Sequence, residues 1–152
     1  KAMPQSLNLV ALHLIFSTRN RIQALPPDIR PGLYAYMAGV AREQGCECYR
    51  VGGTEDHVHL AIALSRTKAI AVLVEEIKTS ATHWLKQQHA DFQGFSWQRG
   101  YGVFSVSPGQ VADLLDYIDN QEVHHQKRSF QQEYLAFLKK YGITYDERYV
   151  WD

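Results

Sequence analysis

The sequence predicts an α+β fold built on a four-stranded antiparallel sheet. Three observations predict it: strand-like and helical patterns follow the order β-α-β-β-α-β, Gly52-Gly53 provides a turn between the second and third strands, and further helical patterns follow the fourth strand. The order is the ferredoxin-like arrangement, in which two helices cover one face of the sheet. The opposite face is therefore available for a functional site.

The first strand and the first helix follow from the apolar pattern before Gly45. Residues 8–18 (NLVALHLIFST) are largely apolar and rich in strand-forming residues, which indicates a central strand. His13 falls on the face opposite Val10, Leu12, Leu14 and Phe16. It either lies beside the face that carries His57 and His59 or, as the pattern favours, is a packed structural histidine. Pro26-Pro27-Asp28 opens a helix with apolar residues at helical spacing, and Gly45 ends it.

Apolar spacing and turn residues place the other elements. They follow in order: a second strand at 46–51, a third strand after the Gly52-Gly53 turn, a helix at 67–89, a fourth strand at 101–107, a helix at about 109–126, and a helix with an aromatic tail at 130–152. No linker composition, internal repeat or low-complexity segment divides the chain. We therefore expect residues 1–152 to form a single domain.

Composition and charge exclude several classes of protein. The 152 residues are 45% hydrophobic and 21% charged, which is ordinary for a globular protein, and the 16 basic and 16 acidic residues leave no overall basic signature of nucleic-acid binding. A nucleic-acid site would thus be a local patch. Neither a membrane-spanning run nor a signal-peptide pattern is present, and Cys46 and Cys48 are too close for a disulfide scaffold. We expect a cytoplasmic protein with no membrane partner.

The third strand carries two histidines on one face. Residues at i and i+2 of a strand point the same way, so His57 and His59 stand about 7 Å apart and can converge on one divalent ion. The alternative is a strand with two exposed histidines. Asp56 points to the opposite face of a regular strand, which favours a turn or supporting role over a ligand role.

The helix at 109–126 carries a tyrosine and a glutamine on one face. Tyr117 and Gln121 are four residues apart. A phenol with a pKa of about 10 is a weak nucleophile unless a metal or a base assists it, and a glutamine oxygen can complete a coordination shell begun by two histidines. The alternative is a buried tyrosine hydrogen-bonded by its own glutamine. His124 and His125 either assist the phenol, contact phosphate, or form a solvated helix end.

These residues resemble the single-tyrosine (Y1) HUH transposases of the IS200/IS605 type, the IS200-like transposase family. The resemblance rests on His57-Val58-His59 after Gly-Gly-Thr-Glu-Asp in a β-hairpin and on Tyr117-Ile118-x-x-Gln121 about sixty residues later. It extends over nearly the whole chain, from the opening strand to the tyrosine helix. His-x-His alone would be weak evidence, whereas the two motifs in this order are specific.

The resemblance implies a DNA transposase that acts on single-stranded DNA with subterminal hairpins at the ends of a mobile element. Tyr117 would attack the scissile phosphate, form a 5′-phosphotyrosine and release a 3′-OH that later reverses the step. His57, His59 and Gln121 would bind Mg²⁺ or Mn²⁺, and because imidazole favours softer ions we expect Mn²⁺ to bind more tightly. Family members are homodimers in which the tyrosine helix can complete the partner's site; the sequence leaves cis or trans completion open.

Two rival functions and a set of DNA contacts stay open. A domesticated relative that acts on dispersed palindromic repeats would keep the same residues, and a non-catalytic ferredoxin-like nucleic-acid-binding protein would leave both motifs unexplained. Basic residues that suit phosphate and one tryptophan that suits base stacking are candidate DNA contacts, although each also fits a solvated or structural position. These candidates are Arg19, Arg21, Lys78, Trp97, Arg99, Lys127 and Arg128.

Overall fold

The computed structural model describes residues 4–152 and contains the predicted antiparallel sheet. The strands lie in the order β2-β3-β1-β4, and each strand is antiparallel to its neighbours. This is the order that the ferredoxin-like arrangement requires, so the α+β fold class is confirmed. The strands are β1 (Ala11–Ser17), β2 (Glu47–Gly53), β3 (His57–Ala63) and β4 (Gly102–Val106).

Helices occupy every predicted helical region, with shorter bounds. They are α1 (Arg30–Glu43), α2 (Ile70–Gln88), α3 (Val111–Asp119), α4 (Gln121–Lys127) and α5 (Phe130–Lys140). Before α1, the Ile29 N–H donates to the Pro26 carbonyl at 3.1 Å, so these residues form a turn. The prolines there pre-set backbone angles without extending the helix. Within residues 4–152, no helix is long and apolar enough to cross a membrane.

The predicted helix at 109–126 is two helices, which corrects the sequence prediction. The backbone leaves helical geometry at Asn120 (φ −102°, ψ 21°), between α3 and α4. The Asn120 side-chain amide donates to the Asp116 carbonyl at 2.7 Å. A short polar side chain that bonds its own helix in this way competes with the helical ladder. Tyr117 consequently lies on α3 and Gln121 begins α4.

The main hydrophobic core lies between one face of the sheet and the pair α1 and α2. Side chains of β1 and β3, including Phe16 and Leu60, are fully buried there against Leu33 of α1 and Ile77 of α2. Buried aromatic side chains from the segment before β4 close one end of this core. This face of the sheet provides the stable platform on which the other face is built.

The second face of the sheet is covered by the C-terminal helices instead of being open. Ile15 and Phe104 of the sheet pack with Phe130 and Leu138 of α5 in a smaller core, and the chain's C-terminal residues pack on it. The histidines of β1 and β3 stand on this same face. The C-terminal helices therefore bury the histidines and bring their own polar side chains to them.

Candidate active site

Asp56 fixes the orientation of His57 at the start of β3. The His57 side chain is 1% exposed, and its Nδ1 lies 2.7 Å from Asp56 Oδ1. Because a carboxylate can only accept, Nδ1 carries the proton and donates it. Thr54 also donates to Asp56 Oδ1, at 3.1 Å. His57 Nε2 is thereby aimed at Gln121 Oε1, 2.8 Å away. Asp56 lies in the supporting position that the sequence favoured.

His59 lies two residues along β3, is fully buried, and faces the same space. Its Nε2 lies 3.0 Å from Glu133 Oε1, and His57 Nε2 lies 3.4 Å from that same oxygen. The Nδ1 of His59 is 2.6 Å from Nε2 of His13 on the neighbouring strand. His13 is therefore beside the two histidines of β3, the alternative that the sequence pattern did not favour.

Glu133 is the site residue that the sequence did not single out. It lies on α5, is 3% exposed, and belongs to the buried stripe of that helix with Phe130, Tyr134 and Leu138. Ser129 caps the helix and forms a capping box with Gln132, which sets where its first turn begins. A glutamate at an apolar position of an amphipathic helix is the signal that could have found it, because buried carboxylates require partners.

Tyr117 projects from α3 to the same carboxylate. Its hydroxyl donates to Glu133 Oε2, and Gln121 Nε2 donates to that oxygen at 3.2 Å. The tyrosine ring lies edge-on to His59 at 5.7 Å and stacks on His124 at 4.7 Å. The nucleophile candidate, the glutamine and the two histidines of β3 therefore converge around one buried glutamate.

Burial and hydrogen bonding shift the pKa values of the site residues in different directions. Burial works to lower the pKa of His57, but hydrogen bonds to Asp56 and Glu133 outweigh it and raise that pKa to about 9. Burial lowers the pKa of His59 and of His13. The Glu133 carboxyl is buried, which opposes ionisation, yet its bonds to the two histidines of β3 hold its pKa well below the usual range. Glu133 is accordingly an anion at neutral pH.

The phenol of Tyr117 is protonated at neutral pH. Burial raises its pKa above the ordinary value, and the negative charge of Glu133 raises it further. A protonated phenol attacks poorly unless a neighbouring group takes its proton. Glu133 is the carboxylate in contact with that hydroxyl, so the site holds a nucleophile and a proton acceptor side by side.

The same side chains fit a divalent metal ion. One ligand atom each from His57, His59 and Glu133 lie within 4.8 Å of one another, and Gln121 Oε1 adjoins His57 Nε2. Two imidazole nitrogens and two oxygens suit Mn²⁺, while Mg²⁺ prefers a larger share of oxygen ligands. The Nδ1–H of His57 is donated to a carboxylate, an arrangement typical of metal-binding histidines.

His125 stands beside this site in a second group of possible ligands. Its Nε2 lies 3.0 Å from Glu55 Oε1, and together with Asp56 and His57 it offers ligand atoms within 4.8 Å of one another. The atom of His57 on this side is Nδ1, whose proton Asp56 accepts. We therefore interpret His125 as a contact that ties α4 to the turn before β3.

Three of the predicted DNA contacts have other partners in the fold. Lys78 Nζ donates to three carbonyls of residues 98–100, at 2.7, 3.2 and 2.7 Å, and burial lowers its pKa to about 8. Trp97 is 7% exposed and packs edge-on to Phe16, so it presents no open platform for a base. Arg21 donates to the Trp151 carbonyl at 3.1 Å.

The other four basic candidates are exposed and free to reach a ligand at the surface. Arg19 follows β1, Arg99 precedes β4, and Lys127 and Arg128 lie at the end of α4. For all seven residues, contact with DNA stays a prediction. The exposed four are the ones whose positions agree with it.

Comparison with known proteins decides the family. A family model described as "Transposase IS200 like" matches residues 6–121, which include His57, His59, Tyr117 and Gln121. The chain belongs to the IS200-like transposase family. The resemblance inferred from the two motifs is thereby confirmed. Glu133 lies beyond the matched residues of this transposase.

Known transposases are similar to this one over most of its length. It is 25% identical over 114 residues to the ISDra2 transposase TnpA of Deinococcus radiodurans, covering 72% of this chain and 81% of that one. A protein of Deinococcus radiodurans R1 whose crystal structure is assigned as a transposase is 25% identical, with a TM-score of 0.61, covering 80% of this chain and 97% of that one.

A third protein shares the fold of this transposase at lower identity. The structure of the REP-associated tyrosine transposase bound to a REP hairpin superposes with a TM-score of 0.60 at 18% identity, covering 82% of this chain and 73% of that one. The likeness shows a common fold. All three proteins carry a transposase assignment, as does the matching family.

Proposed function

We propose that this transposase cleaves and rejoins single-stranded DNA through a covalent bond between Tyr117 and a 5′ phosphate. One observation carries the proposal: the Tyr117 hydroxyl contacts a buried carboxylate that also faces Nε2 of both His57 and His59. A tyrosine with a purely structural role needs one hydrogen-bond partner, and it does not require two imidazoles that face the same carboxylate. A nucleophile acting on a phosphodiester needs both a proton acceptor and a way to bind the charged phosphate.

In the proposed step the Tyr117 oxygen attacks the phosphorus of the scissile phosphodiester. A phosphorus–oxygen bond to tyrosine forms, the bond to the 3′ oxygen breaks, and that oxygen takes up a proton from solvent and leaves as a 3′-OH. Glu133 takes the phenol proton, because it is the carboxylate that accepts the hydrogen bond of that hydroxyl. Reversal by the 3′-OH of another strand rejoins DNA without an external energy source, since the tyrosyl phosphodiester conserves the bond.

A divalent ion is part of the proposal, either Mg²⁺ or Mn²⁺. His57, His59, Gln121 and Glu133 would hold it, and a bound ion neutralises charge on the attacked phosphate. Asp56 orients the His57 imidazole by accepting its Nδ1–H. The non-catalytic binding protein is disfavoured, because it gives no reason for a buried glutamate to face two histidines and a tyrosine.

The proposed substrate is single-stranded DNA with subterminal hairpins at the ends of the element. The family membership supports a DNA partner, and a structure with this fold carries a REP hairpin. The alternative substrate is a set of dispersed palindromic repeats. Acting on either substrate, the protein would work in the cytoplasm.

A covalent adduct tests the proposal. The protein is mixed with Mn²⁺ and single strands from the gene's own flanks that are labelled at the 3′ end, and a denaturing gel reveals protein that has acquired label. Tyr117→Phe and His57→Ala should each abolish the adduct, while Tyr149→Phe and His83→Ala, at exposed positions, should keep it. Label that persists in Tyr117→Phe would show another nucleophile. Hairpin binding without any wild-type adduct would favour a binding protein.

A further inference from the structure

The ring of His13 is placed to control how His59 binds metal. His13 stands in the middle of β1 and is 2% exposed. Its Nε2 is 2.6 Å from Nδ1 of His59, and the two rings lie edge to edge with centroids 4.9 Å apart and planes 22° apart. A hydrogen bond this short between two buried imidazoles fixes both ring orientations.

The bond also decides which nitrogen of His59 is free. A neutral imidazole has one N–H donor and one lone pair, so an imidazole that gives Nε2 to an ion carries its proton on Nδ1. That proton needs an acceptor, because an unpaired buried donor is costly. The atom within hydrogen-bond distance of His59 Nδ1 is His13 Nε2.

His57 and His59, which would face the ion, therefore contact different side chains at their Nδ1 atoms. His57 donates its Nδ1–H to Asp56 at 2.7 Å, which is the usual carboxylate support for a metal-binding histidine. Among residues 4–152, no carboxylate is paired with Nδ1 of His59, and His13 occupies the corresponding position. Each imidazole therefore has an Nε2 aimed at Glu133 and an Nδ1 within hydrogen-bond distance of a neighbouring side chain.

Aromatic packing holds the His13 ring in place. Phe137 of α5 meets it edge-on at 5.0 Å, and Phe104 of β4 lies at 6.3 Å. The ring of Tyr117 also meets it edge-on, at 6.3 Å. A side chain enclosed on these sides cannot rotate away from His59 without disturbing the small core. Its position is thus set by β1, β4 and α5 together.

We propose that His13 is a positioning residue of the metal site, accepting the Nδ1–H of His59 so that His59 Nε2 faces the ion. The inference rests on the proposed function, in that it assumes a divalent ion between His59 and Glu133. His13 itself touches neither ion nor DNA in this role. Losing such a supporting partner typically weakens metal binding by about 10–100-fold.

Mn²⁺ binding to a pair of variants tests this role. His13→Gln keeps an oxygen acceptor near His59, whereas His13→Leu keeps a similar volume and removes the acceptor. Calorimetric titration with Mn²⁺ alone should show about 10–100-fold weaker binding for His13→Leu and near-wild-type binding for His13→Gln. Thermal unfolding of the metal-free proteins shows whether each variant is folded. A loss caused by poor folding alone would not be rescued by glutamine.

A spectrum of the unmodified protein gives an independent answer that needs no variant. With Zn²⁺ as a diamagnetic probe, long-range ¹H–¹⁵N spectra report which histidine nitrogens carry protons. We expect a proton on His59 Nδ1 and none on His13 Nε2. A proton on His13 Nε2, or equal Mn²⁺ affinity in both variants and wild type, would overturn the role of His13 alone. Wild-type protein that binds neither ion would overturn the proposed metal site as well.

Discussion

Glu133 contacts the two histidines of β3, the tyrosine and the glutamine, and this makes it the residue with most control over the chemistry. One carboxylate oxygen faces the imidazoles of His57 and His59, and the other accepts from Tyr117 and Gln121. The two oxygens can therefore serve two purposes, one toward an ion and one toward the phenol. Burial and the charge of Glu133 raise the pKa of Tyr117, so the phenol is protonated at neutral pH, and this second oxygen is the acceptor in contact with its proton.

Replacing the carboxylate of Glu133 by an amide tests the negative charge while keeping the shape of the side chain. Glu133→Gln keeps the volume but removes the anion, so it can neither take a phenol proton nor balance the charge of an ion. We expect the rate of adduct formation to fall by about 100-fold or more, within the range that general bases supply. Time courses with labelled single strands and Mn²⁺ measure it. Glu75→Gln, on the exposed side of α2, is the charge-matched control. Equal rates for the two variants would contradict the role of Glu133.

At the level of elements, the close approach of α3 to the sheet determines where the tyrosine points. Ile118, the residue after Tyr117, is 1% exposed and lies directly on Gly52 of β2. A Cβ atom added at Gly52 would stand 2.6 Å from Ile118 Cγ2 and 2.9 Å from its carbonyl oxygen. Arg50 and Asp119 add an ion pair at 2.9 Å, but exposed pairs contribute little.

A methyl group at Gly52 should consequently move the tyrosine. We expect Gly52→Ala to cost about 1–3 kcal/mol of stability through overpacking. It should also slow adduct formation by about 100-fold, because small displacements of a nucleophile are that costly. Thermal unfolding and adduct time courses measure the two effects. Gly39→Ala, within α1, has open space for its methyl group and should stay fully active. If both variants behaved alike, contact with α3 would not position Tyr117.

The sequence predicts the helices and strands that have a strong local pattern. It does not predict features that depend on a contact between residues far apart in the chain. The order of strands and helices follows from apolar spacing, and the fold class is confirmed. The break at Asn120 is not preceded by a glycine or proline that would predict it. Glu133 occupies an apolar position of α5, which indicates burial but does not identify its partners. Glu133 becomes a site residue only when α5 folds back over His57, a contact across 76 positions that periodicity cannot register.

At the scale of the whole molecule, the side chains described at the site belong to five elements of the fold. They come from β1, β3, α3, α4 and α5, and further polar contacts tie α4 to the rest of the fold. Arg30 of α1 contacts Glu122 at 3.1 Å, and His125 contacts Glu55 at 3.0 Å. The homodimer and the shared site implied by the family resemblance stay predictions. Within the chain, however, Tyr117 faces its own histidines, which supports completion of the site in cis.

Mixing two inactive variants distinguishes cis from trans completion. Tyr117→Phe retains the histidines and His57→Ala retains the tyrosine, so a shared site in a mixed dimer would pair an intact histidine set with an intact tyrosine. With random exchange of subunits, trans completion would restore about a quarter of wild-type adduct. We expect none, because the contacts of Tyr117 with Glu133 and of Gln121 with His57 lie within one chain. Wild type mixed with His57→Ala controls for exchange and dilution. Recovery of adduct in the double-variant mixture would show that the tyrosine helix leaves its own sheet for that of a partner.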